Sequence, residues 1–386
     1  MEPIQLTTPA ATGATGDASG PLVLRAPRES DLPDFSEMFA DAEIVRFTLV
    51  PVPWGTEHRD GYLERVASAW HAGSPRWTIA DSRDRLCGTV GLNVSGHSAE
   101  LVYQTAPWAR RQAVALRACH TALVWAADTL EVSRFTWSAI VGNHLSLLLA
   151  LRLGFQPEGV TRAGAMQRGT PVDTWTAGML PGELRALDDP PPGYALARRR
   201  AEVFAAPQPR LTTALPELTL RPLTAGDVDR VAQASRDPQT MRWTTVPRPY
   251  KRFHAEGFVE RIAPDGWRRG TTAIFALADA DDAYCGTVDI RLHADDPTEA
   301  DVGFVTAPWA RGRGYMPAAV NAVCDFGFDR LGVERIEWHA NAGNVASRRV
   351  AEKCGFTMEG TVRGGLTGPQ GRLDAWQAAL LKGDGR

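Results

Sequence analysis

Two tandem copies of one α/β (α+β) domain, each a mixed β-sheet flanked by helices, are predicted for this 386-residue chain by three observations. The hexapeptide Thr-Ala-Pro-Trp-Ala-Arg occurs at 105–110 and again at 306–311. With that offset of 201 held without gaps, residues 99–180 and 300–381 share 28 identities in 82 positions, among them Trp137/Trp338, Asn143/Asn344, Ser146/Ser347 and Gly154/Gly355. Such self-similarity means a duplicated fold. Within the second copy, hydrophobic periods of 2 and 3.6 alternate in the order β-α-α-β-β-β-α-β-α-β-β, which is a mixed sheet covered by helices.

The elements of that copy follow in order. Leu218 to Arg221 is a short strand, and Asp227 to Ser235 is a helix with Val228, Val231 and Ala232 on one face. A loop, Trp243 to Tyr250, leads to a second helix carrying Phe258, Val259 and Ile262. Strands at 272–278, 285–292 and 299–306 come next. The glycine-containing turn Arg311-Gly312-Arg313-Gly314 opens a helix that runs to about Leu331. A strand at 335–340, a helix at 344–353 and closing strands at 357–363 and 372–381 finish the domain. The organisation predicted is a disordered tail at 1–20, domains at 21–181 and 217–386, and a Pro-rich linker at 182–216 holding one short helix, 195–206.

Composition narrows the function. A formal charge of −3 excludes a nucleic-acid binder that works through overall positive charge. No run of about 18 apolar residues exists, so no membrane association is expected. Five scattered cysteines without a C-x-x-C pair read as reduced cytoplasmic thiols, with no disulfide framework and no metal site. Only three of 42 basic residues are lysine, so Arg198-Arg199-Arg200 is read as a solvated helix face.

A glycine turn that leaves a strand and opens a helix is suited to phosphate, because bare backbone N–H groups meet the anion at the positive end of the helix. Arg311-Gly312-Arg313-Gly314-Tyr315 is such a turn. Downstream stand Asn344-x-x-Ser347 and Cys354-Gly355-Phe356. In this spacing the chain resembles the Gcn5-related N-acetyltransferase (GNAT) superfamily, particularly its ribosomal-protein N-terminal-amine acetyltransferase branch. The resemblance covers nearly all of 217–382 and, more weakly, 21–181.

The resemblance implies two GNAT-type domains, acetyl-CoA or another acyl-CoA as co-substrate, no metal, and acyl transfer to the primary amine of a small molecule or peptide. It places the pyrophosphate on Arg311, Gly312, Arg313, Gly314 and Tyr315, with Met316 standing where a small residue is usual. The pantetheine arm would pair with the backbone at Phe304, Val305 and Thr306, where an N–H is the expected oxyanion donor. Asn344 would bind that arm, and Ser347 would donate to the departing thiolate. The acceptor would enter between the loop bearing Trp243 and Tyr250 and the final hairpin, 364–371.

An α-amine with a pKa near 8 loses its proton at pH 7 for about 1.4 kcal/mol, against about 4.6 kcal/mol for a lysine, so a weak base suffices for the first. Asp301 is the leading candidate, acting through a water, with His339 and His254 as lesser ones. Two other functions compete with acyl-CoA transfer: transfer from an acyl carrier protein during natural-product assembly, and a non-catalytic acyl-CoA sensor or scaffold. The first copy reads as degenerate, because Arg110-Arg111-Gln112-Ala113 has lost both glycines. Its helix with Leu145, Leu147, Leu148, Leu149 and Leu151 is expected to pack on the other copy, giving a monomer with an internal pseudo-dimer.

Overall fold

A computed structural model describes residues 1–11, 20–368 and 371–385. The chain divides into two compact units, Met1–Tyr194 and Ala195–Arg386. In the first, β1 (Leu6–Thr7), β2 (Val23–Arg25), β3 (Arg76–Ala80), β4 (Leu86–Ser95), β5 (Ser98–Thr105), β6 (Arg134–Ile140), β7 (Gln156–Gln167) and β8 (Thr170–Met179) form a sheet in the order β1-β2-β3-β4-β5-β6-β8-β7. In the second, β9 (Leu211–Thr212), β10 (Thr219–Arg221), β11 (Thr272–Ala278), β12 (Tyr284–Leu292), β13 (Glu299–Thr306), β14 (Arg335–Asn341), β15 (Thr357–Gly368) and β16 (Gly371–Leu381) repeat that order.

Neighbouring strands are antiparallel except β5 with β6 and β13 with β14, which are joined by the crossover helices Val114–Thr129 and Tyr315–Phe326. The period-2 pattern sorts each strand. Val288, Ile290, Ala300, Val302, Ile336, Trp338, Ala378 and Leu380 are buried in the core of the second unit. On the opposite face Asp289, Asp301, Glu337 and His339 remain half-buried.

The repeated hexapeptide serves the fold. Pro308 opens a single 3₁₀ turn, and the Trp309 indole N–H donates to the Tyr284 carbonyl at 3.1 Å; Trp108 does the same to Leu86 at 2.7 Å. Both units also contain a buried bidentate pair. Arg221 meets Asp227 at 2.8 and 2.9 Å with both side chains 5% exposed, and Arg25 meets Asp31 in the same way.

The tail expected to be disordered carries a strand, and the linker carries the short helix expected in it. Within the tail, β1 pairs with β2, and the Trp77 indole donates to the Ile4 carbonyl at 3.0 Å; residues 12–19 lie outside the described residues. Within the linker, the helix Tyr194–Ala205 packs on the second unit: Phe204 meets Trp267 edge-on with ring centroids 4.8 Å apart. Arg199 and Arg200 are therefore not a solvated face, since they donate to the carbonyls of Arg330 and Leu331 at 3.0 and 2.9 Å. The leucine-rich helix His144–Leu153 buries Leu147 and Leu149 partly against its own unit's core, and Leu145 is exposed.

Candidate active site

The turn after β13 has the backbone that the glycines suggest. Gly312 and Gly314 adopt φ of +80° and +76°, and Gly314 is the N-cap of the helix Tyr315–Phe326. A Cβ at either position would meet nothing within 4 Å, so open space borders the turn on that side. Arg311 does not reach into that space. Its guanidinium pairs with Asp237, which caps the helix Pro238–Trp243 by accepting from Thr240 N at 2.9 Å. Arg110 pairs with Asp41 in the first unit, so this contact ties the turn to a helix in both copies. Arg313 is exposed beside the turn, 5.8 Å from the Tyr315 ring. Met316 is 3% exposed and packs in the core, which removes the objection that it crowds the turn.

Beside the turn the sheet opens. β13 and β14 pair only over Glu299–Asp301 and Arg335–Glu337, so beyond Asp301 the β13 edge through Phe304, Val305 and Thr306 has no strand partner on that side. Asn344 caps the helix Val345–Lys353 across this opening, its Oδ1 accepting from Ser347 N at 3.3 Å. Ser347 Oγ accepts from the Trp338 indole at 3.2 Å, which leaves its own hydrogen to donate. Trp243 approaches Gly343, the residue before Asn344. Tyr250, by contrast, is 8% exposed in the core, so it supports the acceptor loop instead of lining it. Of the final hairpin, residues 369–370 lie outside the described residues.

The polar face of the sheet gathers the ionisable groups. His339 Nδ1 lies 3.3 Å from Asp301 Oδ1, and His293 Nε2 lies 3.1 Å from Asp301 Oδ2. Burial raises the Asp301 carboxyl, but the hydrogen bonds from His339 and His293 outweigh it and hold the group below its ordinary value. The His339 imidazole is raised, chiefly by its bond to Asp301. Burial pushes Asp289 up, and Asp301 adds to that. Asp301 is thus held toward its anionic form and His339 toward its protonated form. His254 is remote in role: its Nδ1 accepts from Lys251 N at 3.0 Å at a helix start.

Asp289, His293 and Asp237 were missed by the sequence reading. The alternation that selected Asp301 also places Asp289 on its face, because Asp289 pairs with Gly303 and Arg291 with Asp301 across β12 and β13. Asp237-Pro238 is an N-cap followed by proline at N1, a start signal for the helix that precedes the Trp243 loop.

The first unit keeps the Asn143 cap but departs from this geometry at the turn, at the serine and at the acid–histidine pair. Arg111 and Ala113 keep positive φ of 62° and 55°, yet now carry Cβ atoms where the second unit has none. Tyr103, at the position of Phe304, places its hydroxyl 2.6 Å from Ser146 Oγ, so the serine is engaged. Glu100 replaces Asp301, but Ser138 replaces His339 and donates to Glu100 at 2.7 Å.

A family model described as an acetyltransferase (GNAT) domain matches residues 21–156 and again 217–357. Among curated relatives, the uncharacterized N-acetyltransferase YoaA of Bacillus subtilis is 28% identical over 159 residues, 40% of this chain and 89% of the relative. The spermidine N(1)-acetyltransferase of Vibrio cholerae is 26% identical over 146 residues, 37% of this chain and 81% of the relative. Among solved structures, Mycobacterium smegmatis RimJ in complex with CoA-disulfide matches with a TM-score of 0.39 at 20% identity, over 42% of this chain and 81% of that one.

Proposed function

The chain belongs to the acetyltransferase (GNAT) family, and from that premise we propose that its C-terminal unit transfers an acetyl or longer acyl group from a coenzyme A thioester to a primary amine by direct attack. The observation that carries this reading is the turn Arg311–Tyr315, with two glycines at positive φ and open space where their Cβ atoms would stand. The same turn is stripped of both glycines in the N-terminal unit, so turnover is assigned to one unit. A spermidine acetyltransferase among the relatives supports an amine as acceptor.

In this reading the donor's diphosphate rests on the N–H groups of the turn with Arg313 beside it, and the pantetheine arm follows the free edge of β13, with Asn344 donating from Nδ2. The acceptor approaches over the polar face, where Asp289, Asp301 and Glu337 favour an ammonium ion. His339 takes the amine proton, and Asp301, expected from the sequence as the base, holds the imbalance of charge by hydrogen-bonding the imidazole. A C–N bond forms as the C–S bond breaks. Backbone N–H groups along Phe304–Thr306 face the oxyanion, and the Ser347 hydroxyl donates to the thiolate. The amine identity is tested by free-thiol release from acetyl-CoA against a panel containing spermidine, peptide α-amines and lysine side chains. Release with at least one amine, lost in Gly314→Glu, supports the reading; release that persists in that variant overturns it.

A further inference from the structure

The N-terminal unit, which has lost the donor turn, contains a cavity of about 430 Å³ on the face of its sheet that corresponds to the polar face of the second unit. Trp54 and Tyr62 contribute aromatic walls, and their rings meet edge-on at 6.1 Å. Its size suits a single small organic ligand.

The charge of this cavity is inverted relative to its counterpart. Where the second unit pairs Ile274 with Asp289 across two strands, the first pairs Arg76 with Gly91. The glycine is required, because a Cβ at Gly91 would fall 2.4 Å from Arg76 Cδ. Arg65 stands at the mouth, and the lining contains no Asp or Glu among the described residues. Arg65 and Arg76 donate to carbonyl and amide oxygens: Arg76 to Leu92 O at 2.7 Å and to Asn93, Arg65 to Asp60 O at 3.4 Å and to His58 O. Glu100, the acid that acts on Arg76, is held by Asn93 and Ser138 at 3.0 and 2.7 Å, and Glu57 lies 3.4 Å from the lining His58. Burial accordingly lowers the Arg76 guanidinium, with Tyr62 and Glu100 offsetting this only in part.

We propose that the N-terminal unit is a binding module for a small aromatic carboxylate, its ring against Trp54 and Tyr62 and its anion beside Arg65 and Arg76. The two copies then divide the labour by charge, a cationic acceptor on the C-terminal face and an anionic ligand in the N-terminal cavity.

The test is ligand-observed fluorine NMR on the full chain with 4-fluorophenylacetate, compared with the neutral 4-fluorophenylacetamide and the cationic 4-fluorophenethylamine. Saturable binding of the carboxylate at one site is expected, with the amide about tenfold weaker, since charge-assisted bonds are the strong ones. Arg65→Gln is expected to weaken the carboxylate, while Gly314→Glu leaves it unchanged. The amide comparison requires no variant and so stands even where a substitution unfolds the unit. No saturable binding at millimolar concentration, an amide that binds as well, or loss in Gly314→Glu overturns the proposal, the last by placing the anion on the C-terminal turn.

Discussion

His339 Nδ1 lies 3.3 Å from Asp301 Oδ1, and that contact sets the two groups apart in acidity, the carboxyl below its usual range and the imidazole above it. A raised imidazole is neutral, and able to accept a proton, only above its shifted pKa. The rate kcat/KM is therefore expected to rise with pH through that value. Asp301→Asn removes the largest raising influence, so the midpoint of the rise moves to lower pH while the plateau falls by about 10- to 100-fold. His339→Gln removes the rise. A profile unchanged in either variant would return the proton to solvent.

Donor stoichiometry tests the assignment of turnover to one unit. Calorimetric titration with acetyl-CoA is expected to find one tight site per chain. Gly314→Glu should eliminate it, because a side chain and a negative charge then stand in the open space before the turn. Two comparable sites would show that Arg111 and Ala113 tolerate the diphosphate despite their Cβ atoms.

Ser347 makes a prediction about rate without affinity. Its hydroxyl accepts from Trp338 and has one hydrogen to give. Ser347→Ala should lower kcat by about 10- to 100-fold with little change in donor KM, provided chemistry limits the rate. An unchanged kcat under that condition would leave Ser347 as a first-turn residue of the helix that Asn344 caps.

The buried pair Arg221–Asp227 makes a prediction about stability. Removing one partner strands the other charge at 5% exposure, so Asp227→Ala should destabilise the second unit by about 3–5 kcal/mol. Hydrogen exchange is the suitable measurement: amides of β10–β12 should lose protection and those of β2–β4 should keep it. Equal loss in both units would mean that they unfold together.

Much of this architecture was legible because duplication gave the sequence its own internal comparison. The glycine turn, the three central strands and Asn344 with Ser347 stand where spacing put them. The edge strands β1 and β9 were not seen: two residues among Thr, Ala and Pro offer no period, although Leu-Thr-Thr at 6–8 recurs at 211–213 and marks both. Arg311 and Tyr250 show the other limit. Spacing located both residues, but whether a side chain faces a ligand, an aspartate or the core is decided by neighbours distant in the chain, here Asp237 at 74 residues' separation. The dyad of Asp301 and His339 depended likewise on two strands meeting in parallel.

The parting of β13 from β14 has a mechanical consequence. Only three residue pairs stitch the strands on one side of the gap to those on the other. The sheet is in effect two plates with a short hinge, and a molecule that bonds both free edges acts as a clasp. Saturating donor should therefore stiffen the second unit as a whole, adding about 2.7 kcal/mol at one hundred times Kd. The unit would be most supple when it has nothing to transfer and tightest when loaded.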